Sequence, residues 1–177
     1  MRPENAKFLL DFLLPQLQSE QLVTERILAS VPLDGENDRP GDRSMTAFEL
    51  ARHIAICELW FLDAIIHGEF QEAQTPPPSV TTCEAVAGWF AENAGSRIPR
   101  LEKLTAAELV KEIDYIGLRN DPAVAYLNIA IRHTVHHRGQ LSAYLRGMGA
   151  TVPAIYVESA DEPYPPDDGS IVNPPAF

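Results

Sequence analysis

The stretch that decides the fold is residues 133–140, HTVHHRGQ, which holds three of the chain's five histidines. His133 and His137 are four residues apart. On an α-helix that spacing places two side chains on one face, one turn apart. The flanks read as a helix. Asp121-Pro122 offers a cap residue followed by proline at the first helical position. No proline follows from Ala123 to Arg146, and Gly147 and Gly149 mark a stop. Tyr126, Ile129, Ala130, His133, His137 and Tyr144 fall on a mostly apolar stripe, so both imidazoles are expected to point into the fold. A histidine on such a face is commonly a hydrogen-bonded core residue. Two of them, one turn apart, form half of a metal site, because neutral imidazole is the commonest metal ligand.

A third imidazole comes from an earlier helix. Thr46 and Glu49 form a capping box, Gly68 closes the segment near Ile66 or His67, and Leu50, His53, Ile54, Cys57, Trp60, Phe61 and Ala64 make one broad apolar face. His53 lies inside that face.

The remaining segments supply two more helices. Residues 4–30 repeat apolar side chains at helical spacing, with Pro15 predicting a kink or break. A loop from Pro32 to Arg43 carries the turn pairs Asp34-Gly35 and Pro40-Gly41. Residues 69–80 form a linker stiffened by Pro76, Pro77 and Pro78. Thr81 and Glu84 read as a second capping box opening a helix toward Leu101, with Trp89 and Phe90 as anchors and Pro99 interrupting its end. Thr105 with Glu108 opens a short segment to about Ile113, residues 114–120 are a connector, and no segment alternates convincingly as a strand. Residues 151–177 hold Pro153, Pro163, Pro165, Pro166, Pro174 and Pro175, which disfavour helix and central strand alike. The expectation is an all-α protein: an antiparallel four-helix bundle over residues 1–150, with an extended, Pro-rich C-terminal tail over 151–177 packed on it.

Composition narrows the function. With 45% hydrophobic and 22% charged residues, the 177-residue chain is ordinary for one globular domain. A net charge of −11 without a Lys/Arg cluster argues against nucleic acid and against a polybasic membrane site. No apolar run reaches the roughly 18–20 residues of a membrane span. The N-terminus has no signal core, and two cysteines, Cys57 and Cys83, make no disulfide framework. A cytoplasmic protein with a small-molecule partner is expected. Glycine-rich phosphate loops, GxSxG elbows, paired zinc-finger cysteines and Glu-x-x-His di-iron pairs are all missing.

In a bundle, His53, His133 and His137 can converge between facing helices. Three histidines match the protein ligand number of an open catalytic zinc site, leaving a position for water or substrate. Nitrogen ligation suits zinc, nickel, copper or iron; zinc is the default and nickel the runner-up. His136 lies about 60° round the helix from His133 and is assigned a flanking role, with ligation as an alternative. Cys57, one turn past His53, is either a fourth ligand or a small core residue. His67 is expected in solvent at a helix end. Glu49 and Gln140 are candidates to hold the outer nitrogens of His53 and His137. Gly139 costs about 1 kcal/mol in mid-helix, which a close neighbour would explain. Tyr126 and Tyr144 are core aromatics or pocket lining.

Residues 48–62 (FELARHIAICELWFL), 133–149 (HTVHHRGQLSAYLRGMG) and 153–156 (PAIY) together resemble the DinB-like superfamily, which takes in the damage-inducible DinB and YfiT-type proteins of bacteria. The resemblance spans roughly residues 4–157, and the H-x3-HRGQ segment is its most specific part. It implies a four-helix bundle, a three-histidine site for zinc or nickel falling on His53, His133 and His137, and a homodimer. His136 is no ligand in that pattern. Relatives of this kind include metal-dependent hydrolases and transferases of low-molecular-weight thiols. The expected function is therefore metal-dependent activation of a low-molecular-weight thiol or water for transfer to a small electrophile. The alternatives are a non-catalytic, metal-stapled stress-response module and a metal-free bundle with hydrogen-bonded core histidines.

Overall fold

The computed structural model describes residues 1–163. These are mostly helical, with four long helices: α1 (Pro3–Ala29), α2 (Ala47–His67), α3 (Cys83–Glu102) and α5 (Ala125–Met148). A short α4 (Ala106–Val110) precedes a two-stranded antiparallel hairpin of β1 (Glu112–Tyr115) and β2 (Arg119–Pro122). α2 packs on α5 and α3, and α1 packs on α3 and α5.

The caps of α2 and α4 follow the sequence. The Thr46 hydroxyl accepts from Glu49 N (3.1 Å) while the Glu49 carboxylate accepts from Thr46 N (2.8 Å), and Thr105 with Glu108 repeats the arrangement. Gly68 and Gly149 end α2 and α5 in the left-handed conformation (φ 73° and 70°) that glycine adopts without a Cβ penalty. α1 runs unbroken through Pro15, which is exposed. Pro99 likewise lies on the outside of an uninterrupted α3.

Three local expectations are corrected. α3 is capped by Thr82, not Thr81: the Thr82 hydroxyl accepts from Ala85 N (3.1 Å), and Glu36 from the preceding loop accepts from Cys83 N (2.6 Å). That contact fixes the first turn one residue later. The segment read as a connector is a hairpin. α5 starts at Ala125 rather than after Asp121, because Arg119–Pro122 pair with β1, and Ala123 N and Val124 N donate to Lys111 and Leu109 carbonyls. Tertiary pairing thus overrides the Asp-Pro signal. The hairpin was invisible to pattern reading because Glu112–Tyr115 alternates over only four residues and Arg119–Pro122 carries no alternating apolar side chains.

The turn of that hairpin is strained. Ile116 (φ 47°) and Gly117 (φ 75°) both have positive φ, and Leu118 N donates to Tyr115 O (2.9 Å), the geometry of a type I′ turn. A β-branched residue there costs on the order of 1–2 kcal/mol. Ile116→Asn is expected to stabilise the protein by about 1 kcal/mol, measured as a rise in the denaturation midpoint in urea. A fall in the midpoint would show that the exposed Ile116 side chain contributes more than its backbone strain costs.

Two apolar clusters form the interior. One gathers Leu28, Leu50, Ile54, Phe90, Leu141 and Leu145; the other gathers Leu10, Leu17, Leu62, Leu101, Tyr126 and Leu127. Between them lies a buried polar layer. On α1, Thr24 separates Leu17 from Ile27; on α5, Thr134 and Arg138 separate Ala130 from Leu141; on α2, Glu58 lies at the boundary. Each polar group there is bonded. Thr134 Oγ1 (2.6 Å) and Gln21 Nε2 (2.8 Å) donate to Glu58, and Arg138 Nη1 meets Glu20 Oε2 at 2.6 Å.

Burial pushes the Glu58 carboxyl up to about 7, with Glu20 adding to the rise and the bonds from Thr134 and Gln21 and the charge of Arg138 opposing it. Folding therefore favours protonated Glu58. Its contribution is fully present below the unfolded value of 4.5 and is lost as pH rises through about 7. Glu58→Gln is expected to remove that loss. Its gain over wild type should be absent at pH 4.5 and reach about 3 kcal/mol by pH 8, read from urea unfolding at both pH values. A gain independent of pH would refute the ionisation argument.

Beyond Gly149 the chain is irregular to residue 163 and lies against α1 and α5. Val152 enters the first apolar cluster, Asp161 takes Arg146 (2.5 Å) and Val152 N (2.8 Å), and Glu162 takes Arg26 (2.6 Å) and Ala154 N (2.8 Å). The backbone and side-chain donors facing Asp161 and Glu162 hold both carboxyls below their ordinary values. The tail expected over 151–177 extends past these residues; 164–177 lie outside the described residues.

Candidate metal centre

The capping box sets the start of α2, and two turns later His53 projects toward α5. His133 and His137 meet it there. Ring centroids are 5.0 Å (His53–His133), 4.6 Å (His53–His137) and 4.4 Å (His133–His137) apart. One potential donor atom from each of the three lies within 4.8 Å of the others. The Nε2 atoms of His53 and His137 are 3.2 Å apart. Two nitrogens on one tetrahedral ion, with bonds of about 2.0–2.1 Å, would be separated by about 3.3 Å, so this pair already has the required spacing.

The protonation states suit a cation. Gln140 Oε1 lies 2.7 Å from His137 Nδ1, and as an acceptor it holds the proton on Nδ1 and leaves the Nε2 lone pair facing His53. Burial first, then the neighbouring imidazoles of His137, His53 and His136, lowers His133 to about 4; burial and then His137 also lowers His53. Both are neutral at pH 7, the form that donates a lone pair. His133 Nδ1 is buried and has no hydrogen-bond partner among the described residues. A nitrogen left in that state costs about 1–3 kcal/mol, and coordination to a cation is one way to meet it. The donor set therefore fits a divalent ion.

The buried stripe of α5 differs from the expected one. Leu127, Ala130, Thr134, Arg138, Leu141 and Leu145 face inward, and His133 and His137 sit half-buried on its flank. The cluster is thus at the edge of the core, where a small molecule has access. Sequence reading missed Glu58, Thr134 and Arg138 as interior residues. The available signal was spacing: Glu58 is four from Ile54 and from Leu62, and Arg138 is four from Thr134 and three from Leu141.

The other named residues fall outside the cluster. Cys57 Sγ is 3.5 Å from His53 Nδ1 and 3.9 Å from its Nε2, and burial raises its thiol pKa. Glu49 is occupied by its cap. His136 is exposed, its ring centroid 4.9 Å from that of His137. His67 is exposed as expected, but its Nε2 meets Arg100 (2.9 Å) while Gly68 N closes the helix on Ala64 O. The expected close neighbour of Gly139 is not there, since a Cβ at this position would meet no atom within 4 Å. Tyr126 is a core residue donating to Ile113 O (2.8 Å), and Tyr144 donates to Met45 O (3.2 Å).

The sequence pattern of the DinB family matches residues 6–168. The chain belongs to the DinB family. YjoA of Bacillus subtilis is 30% identical over 141 residues, covering 78% of this chain and 90% of that protein, and YrdA of the same organism is 25% identical over 154 residues, covering 86% and 91%. The crystal structure of YjoA, described as a DinB-like protein, superposes with a TM-score of 0.68, covering 81% of this chain and 96% of that one. A DinB-like protein from Bacillus cereus superposes with a TM-score of 0.69 at 24% identity, covering 81% and 95%, which speaks for the fold alone. The three imidazoles of this DinB-family chain come from two of the three segments that carried the sequence resemblance, residues 48–62 and 133–149.

Proposed function

We propose that this DinB-family protein is a divalent-metal-dependent enzyme that activates a low-molecular-weight thiol or water for transfer to a small electrophile. The observation that carries the proposal is the convergence of His53, His133 and His137, with one donor atom from each inside 4.8 Å, at the accessible edge of the core. Those three residues would hold one ion, zinc or nickel by their nitrogen-only chemistry. Such an ion supplies Lewis acidity, which lets a thiol or water lose its proton near neutral pH. Gln140 fixes the His137 tautomer, and Phe61, its ring centroid 6.1 Å from that of His133, shields one side of the cluster from water. The reading treats the four long helices as an antiparallel bundle of residues 1–150 and the chain as a cytoplasmic homodimer. An exposed, stacked Phe8–Phe12 pair on α1 supports a second copy, and sedimentation equilibrium showing only monomer would remove that part.

The test is turnover by zinc- or nickel-loaded protein against thiol-plus-electrophile and ester or amide panels. Activity lost on chelation and restored by the ion is expected. Bound metal with no turnover on any panel would favour the non-catalytic, metal-stapled module, for which Cys57, 3.9 Å from His53 Nε2, is the nearest extra ligand. Gln140→Leu is expected to weaken metal affinity about 10–100-fold by releasing the His137 ring, measured by competition with a chelator. Unchanged affinity would show that the Gln140 bond does not orient the ligand.

A further inference from the structure

Beside the histidine cluster, between the β1–β2 hairpin and α5, runs a groove of about 460 Å³. Tyr115 is half-buried on the groove wall and is backed by the buried rings of Phe61 and Tyr126, with Phe61 stacked on Tyr115 at 5.9 Å and on Tyr126 at 6.4 Å between centroids. His133 reaches the groove from the cluster side, and Arg119 and Arg132 line it as well. No Asp or Glu lines it, although the chain has 25 acidic and only 14 basic residues. Arg119 shares its guanidinium with Asp121. Arg132 is exposed and makes no hydrogen bond or ion pair with any described residue.

We propose that this groove binds a small aromatic carboxylic acid, its ring against Tyr115 and Ile129 and its carboxylate on Arg132. A planar guanidinium with no partner among the described residues matches a planar carboxylate in a two-point contact. Aromatic walls reward a flat ring by stacking as well as by apolar burial. Arg132 has no anionic partner among the described residues while Asp121 answers Arg119, which calls for one anionic charge. The proposal deepens the metalloenzyme reading by naming its substrate class, and rests on that reading for catalysis but not for binding.

The probe is cinnamate, compared with its neutral isostere cinnamamide and with the aliphatic acid butyrate, titrated calorimetrically into metal-loaded and metal-free full-length protein. Cinnamate is expected to bind about tenfold more tightly than either comparator. Arg132→Gln, an exposed substitution, should erase the preference over the amide. Equal binding of acid and amide, or an Arg132→Gln variant that keeps the preference, overturns the proposal. Cinnamate binding that disappears with the metal and ignores Arg132 also overturns it, because the carboxylate would then sit on the ion. Retained, Arg132-dependent binding in protein that takes up no metal upholds the acid site while the metalloenzyme reading fails.

Discussion

His137→Ala is expected to abolish stoichiometric metal binding. Wild type loaded with zinc or nickel and then desalted should carry close to one ion per chain by elemental analysis, and the variant almost none. Loss of one of three protein donors should weaken affinity by more than about a hundredfold, beyond the range for losing an orienting partner. A second readout is thermal. Metal at a hundredfold excess over its dissociation constant stabilises a protein by about 2.7 kcal/mol, or roughly 5–10 °C for a chain of this size. That upward shift should appear in wild type and be missing from the variant. His137 is half-buried on the flank of α5, so the variant should still fold. Equal metal content in both proteins would end the three-histidine reading.

Arg138→Ala is expected to cost about 3–5 kcal/mol, a fall in Tm of roughly 10 °C or more. Arg138 is 1% exposed. It meets Glu20 Oε2 at 2.6 Å and donates to Tyr156 OH (2.8 Å) and Thr24 Oγ1 (3.3 Å). Truncation leaves Glu20 without its buried counter-charge and opens a cavity. It also removes a charge that restrains the rise of the Glu58 carboxyl. Glu58 is already protonated at pH 5.5, so the loss should be larger at pH 8 than at pH 5.5. A double variant, Arg138→Met with Glu20→Leu, should recover most of the stability, because apolar residues of similar volume often replace a buried ion pair without cost. Urea unfolding of the single and double variants at the two pH values checks all three statements. A loss below about 1 kcal/mol would show that the Arg138 bonds contribute no more than exposed ones.

What the sequence made legible was what local rules govern. Capping boxes at Thr46 and Thr105, the glycine stops at Gly68 and Gly149, and the one-turn spacing of His133 and His137 all depend on neighbours within a turn or two, and each appears in the fold. What escaped depends on partners far along the chain. Glu36 moves the start of α3 by one residue, and β1 draws Asp121-Pro122 out of the helix that their own signal would start. Arg138 is a charged residue, and nothing local reveals that Glu20, more than a hundred positions earlier, makes a home for it. The inner stripe of α5 was misplaced for that reason. Counting only apolar residues rotated it toward His133 and His137, whereas the true stripe includes Thr134 and Arg138.

The polar layer between the two apolar clusters has a consequence for assembly. Sliding α5 by one turn along its neighbours is a displacement of about 5.4 Å. Among leucines alone such a slip exchanges one greasy surface for another and costs little. Here it would drive a guanidinium into hydrocarbon and strand the Glu58 carboxyl without its hydroxyl donor. Only one vertical alignment of the helices is therefore tolerated, and in it the rings from residues 53 and 137 arrive at the same height. The imidazoles owe their meeting to a lock about 100° round the helix that carries two of them.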